Sequence, residues 1–148
     1  MTRSRRLYRI AGHVAEDREA AARELNKRRT QLQAQEEQLE RLREYCLSYH
    51  EQLAEAQARG GTAARLANYS LFLARLNDAI GQQEQSVAAA NRAFEEQRQA
   101  WIRARARVQA VEKAAERCAD DEIQAEDKRE QRQNDDLSLS RLLRGNQK

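Results

Sequence analysis

The sequence predicts an all-α fold in which two long helices form an antiparallel coiled-coil hairpin with a C-terminal helical overhang. Two observations predict it, a seven-residue repeat of apolar residues along two arms and a Gly60-Gly61 break between the arms. Composition agrees, because the 148 residues include no proline and only 5% aromatics, whereas 34% are charged. Such a chain favours helices with a narrow apolar stripe over a domain with a wide core.

The first predicted helix covers about residues 4–58. Its seam, the line of positions that faces the other helix, consists of two series with a seven-residue spacing. These are Ala11, Arg18, Leu25, Leu32, Leu39, Cys46 and Leu53 in the first series, and Leu7, Val14, Ala21, Arg28, Gln35, Leu42, Tyr49 and Ala56 in the second. We expect the polar members Arg18, Arg28 and Gln35 to set the register against Gln97 and Glu84 or Gln85, as polar residues in coiled-coil cores do.

A turn at residues 59–62 is predicted by Arg59-Gly60-Gly61-Thr62. Glycine suits the left-handed conformation that ends a helix, and threonine suits the N-cap of the next one. Because the loop is short, the helices return antiparallel, and residues whose numbers sum to about 121 become neighbours. The whole chain, residues 1–148, is thus interpreted as a single hairpin.

The second predicted helix covers about residues 63–143. Its two seam series are Leu66, Leu73, Ile80, Val87, Phe94, Trp101, Val108 and Ala115, and Tyr69, Leu76, Gln83, Ala90, Gln97, Ala104, Val111 and Cys118. After about residue 118 the seam positions become polar, as at Glu122 and Arg129. We therefore expect the remaining residues to extend beyond the first helix as an unpaired overhang that orders against a partner.

Charge and composition exclude several classes of function. Lys and Arg number 27 and Asp and Glu 24, and their spread along both arms argues against a nucleic-acid-binding domain. No apolar run is long enough for a transmembrane segment or a secretion signal, so a cytosolic chain is expected. No phosphate-binding loop, nucleophile motif or metal-ligand spacing occurs, so the sequence predicts no enzyme activity, cofactor or metal. Cys46 and Cys118 would lie about 65 Å apart, at ~1.5 Å per helical residue, which excludes a disulfide between them.

One departure from a plain coiled coil lies near the turn. Positions that flank the seam are normally charged, yet here they hold Gln38, Tyr45, Phe72 and Ala79. In an antiparallel pair these positions lie on one side, beside four seam residues of the second series. The resulting aromatic patch is Gln38, Leu42, Tyr45, Tyr49, Phe72, Leu76, Ala79 and Gln83. Its rings either widen the core or form a docking surface for a partner.

The motifs around this patch and in the C-terminal half are distinctive. They are Leu42-Arg43-Glu44-Tyr45-Cys46-Leu47-Ser48-Tyr49, then Asn68-Tyr69-Ser70-Leu71-Phe72-Leu73-Ala74-Arg75-Leu76, then Trp101 and the charged stretch Glu126-Asp127-Lys128-Arg129-Glu130-Gln131. Over almost its whole length the chain resembles the FliJ family of flagellar type III export proteins. The resemblance implies a cytoplasmic protein, peripheral to the inner membrane at the flagellar base, whose shape is similar to the rotary stalk subunit of F-type and V-type ATPases.

The resemblance also implies partners. They are the export ATPase FliI, its regulator FliH and the export gate protein FlhA, and a role with export chaperones stays open. The family's gate-binding positions coincide with the eight residues of the aromatic patch, although at Gln83 other members can carry a different polar residue such as His. The protein would stimulate the ATPase ring and couple it to the gate.

Because the patch is near the turn, the end that carries both termini is the better candidate for the ATPase ring. Its predicted contact residues are Arg5, Arg6, Arg9, Leu7 and Ile10. Two other interpretations of the arginines are a solvated helix start and phosphate contacts with nucleic acid. For the whole chain, a stalk of a virulence-type injectisome and an unrelated homodimeric coiled coil remain alternatives.

Overall fold

The computed structural model describes residues 1–146. Helix α1 covers Arg3–Ala58, 56 residues, and helix α2 covers Ala63–Gly145, 83 residues. No strand occurs in this part of the chain. The all-α helical hairpin that the sequence predicts is confirmed.

The turn between the helices depends on Gly60, which has a φ of 72°. The Gly61 amide donates to the carbonyl of Ala56 at 3.0 Å, and the Gly60 amide donates to the carbonyl of Gln57 at 3.2 Å. These two bonds form a Schellman motif, which satisfies carbonyls at the end of α1. A residue with a Cβ would be strained at this φ, so glycine is the residue that lets the chain reverse.

Threonine side chains cap both helices at their N-termini. The Thr62 hydroxyl accepts a hydrogen bond from the Arg65 amide at 3.3 Å, and the Thr2 hydroxyl accepts one from the Arg5 amide at 3.3 Å. Each cap satisfies one of the amides that the first turn of a helix leaves without a partner.

The chain divides into two compact units. The turn unit is Ala20–Ile102, and the terminal unit is Met1–Glu19 together with the chain from Arg103 onward. In both units the predicted seam is the buried face: every seam residue, from Leu7 to Cys118, is buried or half-buried. Leu25, Leu39, Leu73 and Leu76 form the core of the turn unit, and each is at most 8% exposed. Burial of such a side chain contributes about 1.5–3 kcal/mol to folding.

The core of the terminal unit is small and tight. Val108 is 1% exposed and Ala115 is fully buried, with Ala11 on α1 as a third buried apolar residue. Alanine at two of these positions allows the helix backbones to approach closely. From Ile123 to Asn146 every residue is exposed, although the helix continues to Gly145.

The polar seam residues pair differently from the expectation. The Gln83 amide donates to both the carbonyl and the side-chain oxygen of Gln35, at 2.9 and 2.8 Å, so Gln83 is the partner of Gln35 in place of Glu84 or Gln85. Gln97 donates to the backbone carbonyl of Ala21 at 3.2 Å. The seam arginines instead form ion pairs along α1, as Arg28 does with Glu24 at 3.0 Å. Register is therefore set by glutamine amides that cross between the helices.

Candidate partner-binding sites

The aromatic patch lies in the turn unit, on the last part of α1 and the first part of α2. Tyr49 is at its centre. The Tyr49 ring stacks on Phe72 with centroids 4.2 Å apart, and it contacts Tyr45 at 5.5 Å and Tyr69 at 6.3 Å. Ring pairs at these separations are favourable beyond the area they bury. The four rings therefore form one packed cluster that spans both helices.

Exposure divides the patch into a floor and a rim. Leu76 is buried, and Leu42, Tyr49 and Ala79 are half-buried, so these residues form the floor. Tyr45 is 56% exposed and Phe72 is 38% exposed. The structure thus packs one side of each rim ring against Tyr49 and leaves much of the rest in contact with solvent. Rigid, partly exposed aromatic rings of this kind are typical anchors of protein interfaces.

The two glutamines of the patch have different roles. Gln38 is exposed, and its side-chain oxygen accepts hydrogen bonds from Arg41 at 3.0 and 3.3 Å. Gln83 is half-buried, and its amide nitrogen is used by Gln35. Gln38 is therefore placed to meet a partner, whereas Gln83 joins the two helices beneath the patch.

A groove of about 320 Å³ borders the patch on its turn side. Tyr49 and Phe72 form one wall, and Arg65, Asn68 and Tyr69 complete it. Sequence analysis did not assign these last three residues to a site. The signal for Tyr69 is that it is an aromatic residue at a seam position next to the turn.

The arginine cluster predicted as an ATPase contact lies in the terminal unit, at the start of α1. Arg5, Arg6 and Arg9 are exposed, and Ile10 is 46% exposed. Leu7 is half-buried at a seam position, so it packs against α2 and is less available to a partner than the arginines are. The exposed surface of this segment also includes Tyr8, which is 49% exposed and which the sequence analysis did not assign.

At the start of α1, next to these arginines, the carboxylate of Glu122 from α2 caps the helix. Glu122 accepts a hydrogen bond from the Ser4 hydroxyl at 2.6 Å and one from the Ser4 amide at 3.1 Å, and Ser4 is only 7% exposed. The bonds from Ser4 hold the pKa of the Glu122 carboxyl below its usual range. Cys118 donates to Glu122 at 3.7 Å, and burial together with the neighbouring carboxylate raises the pKa of its thiol.

Residues 1–146 contain no group of three or more His, Cys, Asp or Glu side chains arranged to hold a metal ion. No helix in the same range has an apolar stretch of the length and hydropathy that a membrane span requires. Both cysteines are free thiols. The features that remain for function are surfaces.

A protein-family model, described as Flagellar FliJ protein, matches the chain over residues 3–147. The chain belongs to the FliJ family. No curated protein and no solved structure matches the chain at a significant level. The family match covers both helices and includes the aromatic patch and the arginine cluster.

Membership of the FliJ family makes this a flagellar export-related protein, associated with the export apparatus. FliJ proteins are helical components of export and are not a known enzyme family. The structure brings the predicted patch residues together around Tyr49 but gives Gln83 an internal partner. It also adds Glu122, which the sequence analysis placed in the unpaired overhang. The sequence does not show that Ser4 lies opposite Glu122 and donates hydrogen bonds to it.

Proposed function

We propose that this FliJ-family protein couples the export ATPase to the export gate, with the aromatic patch as the surface that binds the gate protein FlhA. One observation carries the proposal: the Tyr49 ring stacks on Phe72 at 4.2 Å, while Tyr45 beside it remains 56% exposed. A cluster that served the core alone would bury its rings. This one holds them rigid and presents them to solvent.

Preorganisation of the rings favours binding of a partner. Side chains that are already fixed lose little conformational entropy when a partner binds, so more of the contact energy appears as affinity. The ring of Tyr45 is supported by Tyr49, and that of Phe72 is supported from the opposite helix. Aromatic anchors in such a setting commonly contribute 2 kcal/mol or more each, roughly a thirtyfold change in affinity.

The terminal unit is the proposed contact with the ATPase. Arg5, Arg6 and Arg9 expose three positive charges on one short segment of α1, whose start is fixed by Glu122. A fixed, positively charged segment suits an acidic surface on the ATPase FliI or on its regulator FliH. The proposal includes a role in carrying export chaperones. It also places the protein at the cytoplasmic side of the inner membrane, next to the export gate.

The test is the affinity of the isolated cytoplasmic domain of FlhA for three forms of the chain. The Tyr45→Ala, Phe72→Ala double variant should bind at least tenfold more weakly than the parent. The control is Leu47→Ala, Leu71→Ala, because these leucines are 62% and 53% exposed but lie outside the patch. Circular dichroism establishes that all three are equally helical. Equal affinity of the patch variant and the control would refute the gate assignment.

A further inference from the structure

A second groove lies between α1 and α2 in the turn unit. This lateral groove, of about 270 Å³, is lined by Ala22, Leu25, Arg29, Phe94, Arg98 and Trp101 among others. Arg29 directly follows a second-series seam residue, whereas Tyr45 directly precedes a first-series one. The two positions flank opposite sides of the seam, so the lateral groove is separate from the aromatic patch.

The groove exists because side chains of unequal size meet across the seam. Phe94 and Trp101 are half-buried seam residues of α2, and the small Ala22 of α1 lines the groove with them. Leu25, which is 8% exposed, closes the floor. The result is an apolar slot with two aromatic rings in its wall.

Positive charge surrounds this slot. The Arg29 guanidinium lies over the Phe94 ring, 5.7 Å from its centroid, and this cation–π contact holds it at the rim. Arg98 forms a salt bridge with Glu95 at 3.5 Å, and both side chains are about half exposed, so this ion pair is weak. In the part of the chain that the structure describes, no salt bridge forms to Arg23, Lys27 or Arg29, and Glu24 is paired with Arg28.

We propose that the lateral groove binds an acidic segment of a partner protein, with a phenylalanine or leucine side chain in the slot and carboxylates on Arg29 and Arg98. The volume is compatible with this occupant, because about 270 Å³ lies at the low end of the ~300–1,000 Å³ typical of ligand sites and accommodates a single apolar side chain. The charge favours it as well, because two guanidiniums beside an apolar slot complement an apolar side chain flanked by carboxylates. Nucleic acid binds chiefly through its phosphates, so it would contact the arginines and leave the apolar slot empty.

Trp101 makes the proposal directly measurable, because it is the one tryptophan in the sequence and it lies in the groove wall. The probe is a short synthetic peptide in which phenylalanine and leucine alternate with aspartate and glutamate, without tryptophan. Titrated into the full-length protein, it should change the Trp101 fluorescence in a saturable manner. A peptide with lysine at every acidic position should leave the fluorescence unchanged.

Two variants locate the binding. Arg29→Ala, Arg98→Ala should weaken binding of the acidic peptide about tenfold or more, the loss expected for two charge-assisted contacts. Ala22→Leu should weaken it by filling the slot, with every charge retained. Arg92→Ala, Arg132→Ala is the matched control and should bind normally, because both arginines are exposed and neither lines the groove.

Three results would overturn the proposal: equal binding of the lysine peptide, full affinity of both groove variants, or a response to phosphatidylserine vesicles or duplex DNA in place of the acidic peptide. The Tyr45→Ala, Phe72→Ala variant separates this proposal from gate binding. It should lose the FlhA domain but keep the acidic peptide, because its substitutions lie on the opposite side of the seam.

Discussion

Ser4 and Glu122 form a hydrogen-bonded pair in which a carboxylate on α2 caps the first turn of α1, with 2.6 Å between the Ser4 hydroxyl and Glu122 Oε2. The second carboxylate oxygen accepts the Ser4 amide at 3.1 Å. A negative charge at a helix N-terminus is favourable, because the amides there carry partial positive charge. The pair also places a carboxylate close to the arginines that follow in α1.

This pair predicts a specific dependence of stability on pH. The pKa of Glu122 is lowered in the folded state, so its contribution is present at neutral pH, above the pKa of the unfolded chain, and is lost as the pH falls through the lowered folded value. Glu122→Ala should therefore be less stable than the parent at pH 7. The difference should narrow on acidification to about pH 3, below the usual glutamate pKa of ~4.3.

Urea denaturation of the parent and the variant at several pH values measures this. The control is Glu116→Ala, because Glu116 is exposed on the same helix. Its stability should follow that of the parent at every pH. A parallel fall of all three proteins with pH would contradict the assigned role of Glu122.

Two glycines provide a matched pair of opposite predictions. Gly60 has a φ of 72°, so Gly60→Ala forces a side chain into the left-handed region and should cost about 1–2 kcal/mol. Gly81 lies within α2, with no neighbour within 4 Å of the place its Cβ would take, so Gly81→Ala should stabilise by about 0.5–1 kcal/mol. Thermal melts of both variants test the pair, and a loss of stability in Gly81→Ala would be inconsistent with an open helical site.

The Gln35–Gln83 pair predicts non-additive substitution effects. Gln83→Ala removes two hydrogen bonds and leaves the Gln35 side chain half-buried without its partner, so it should cost about 1 kcal/mol or more. The double variant Gln35→Leu, Gln83→Leu replaces both polar groups by apolar ones and should be as stable as the parent or more stable. Chemical denaturation of the parent, of Gln35→Leu and Gln83→Leu made singly, and of the double leucine variant gives the coupling energy. Simple additivity would argue against a direct pair.

The arginine cluster predicts a charge-dependent effect on the ATPase. Arg5→Glu, Arg6→Glu should weaken binding to the export ATPase about tenfold or more, because reversed charges at a complementary surface repel. Stimulation of ATP hydrolysis should fall with it. This double variant retains Ser4 and Glu122, so the cap of α1 is kept. A truncation of the N-terminus would remove Ser4 and with it the cap.

The control for that experiment is Arg75→Glu, Arg92→Glu, which makes the same change in net charge on exposed residues of the turn unit. Stimulation should be normal in this variant. If both double variants lose stimulation equally, the effect comes from net charge, and the terminal segment has no special part in it.

Much of the fold was predictable because heptad spacing is a local property of the sequence. All seam positions that the spacing assigns are buried or half-buried, and Tyr45 and Phe72 fall on the flank where the structure exposes them. The partners of the polar seam residues were not predictable to the residue. A shift of one position moves a contact from Glu84 to Gln83, and spacing alone does not resolve that difference.

The sequence by itself determined that the chain forms two helices, where they reverse, which face is buried and which family the chain resembles, because helix propensity, glycine conformation and apolar period act over a few residues. Tertiary structure alone decided that Glu122 caps α1, that Gln83 is occupied by Gln35, and that Arg29 lies over Phe94 beside a groove. Each of these contacts joins residues far apart in sequence, and each depends on distances and side-chain sizes across the seam that no local pattern records.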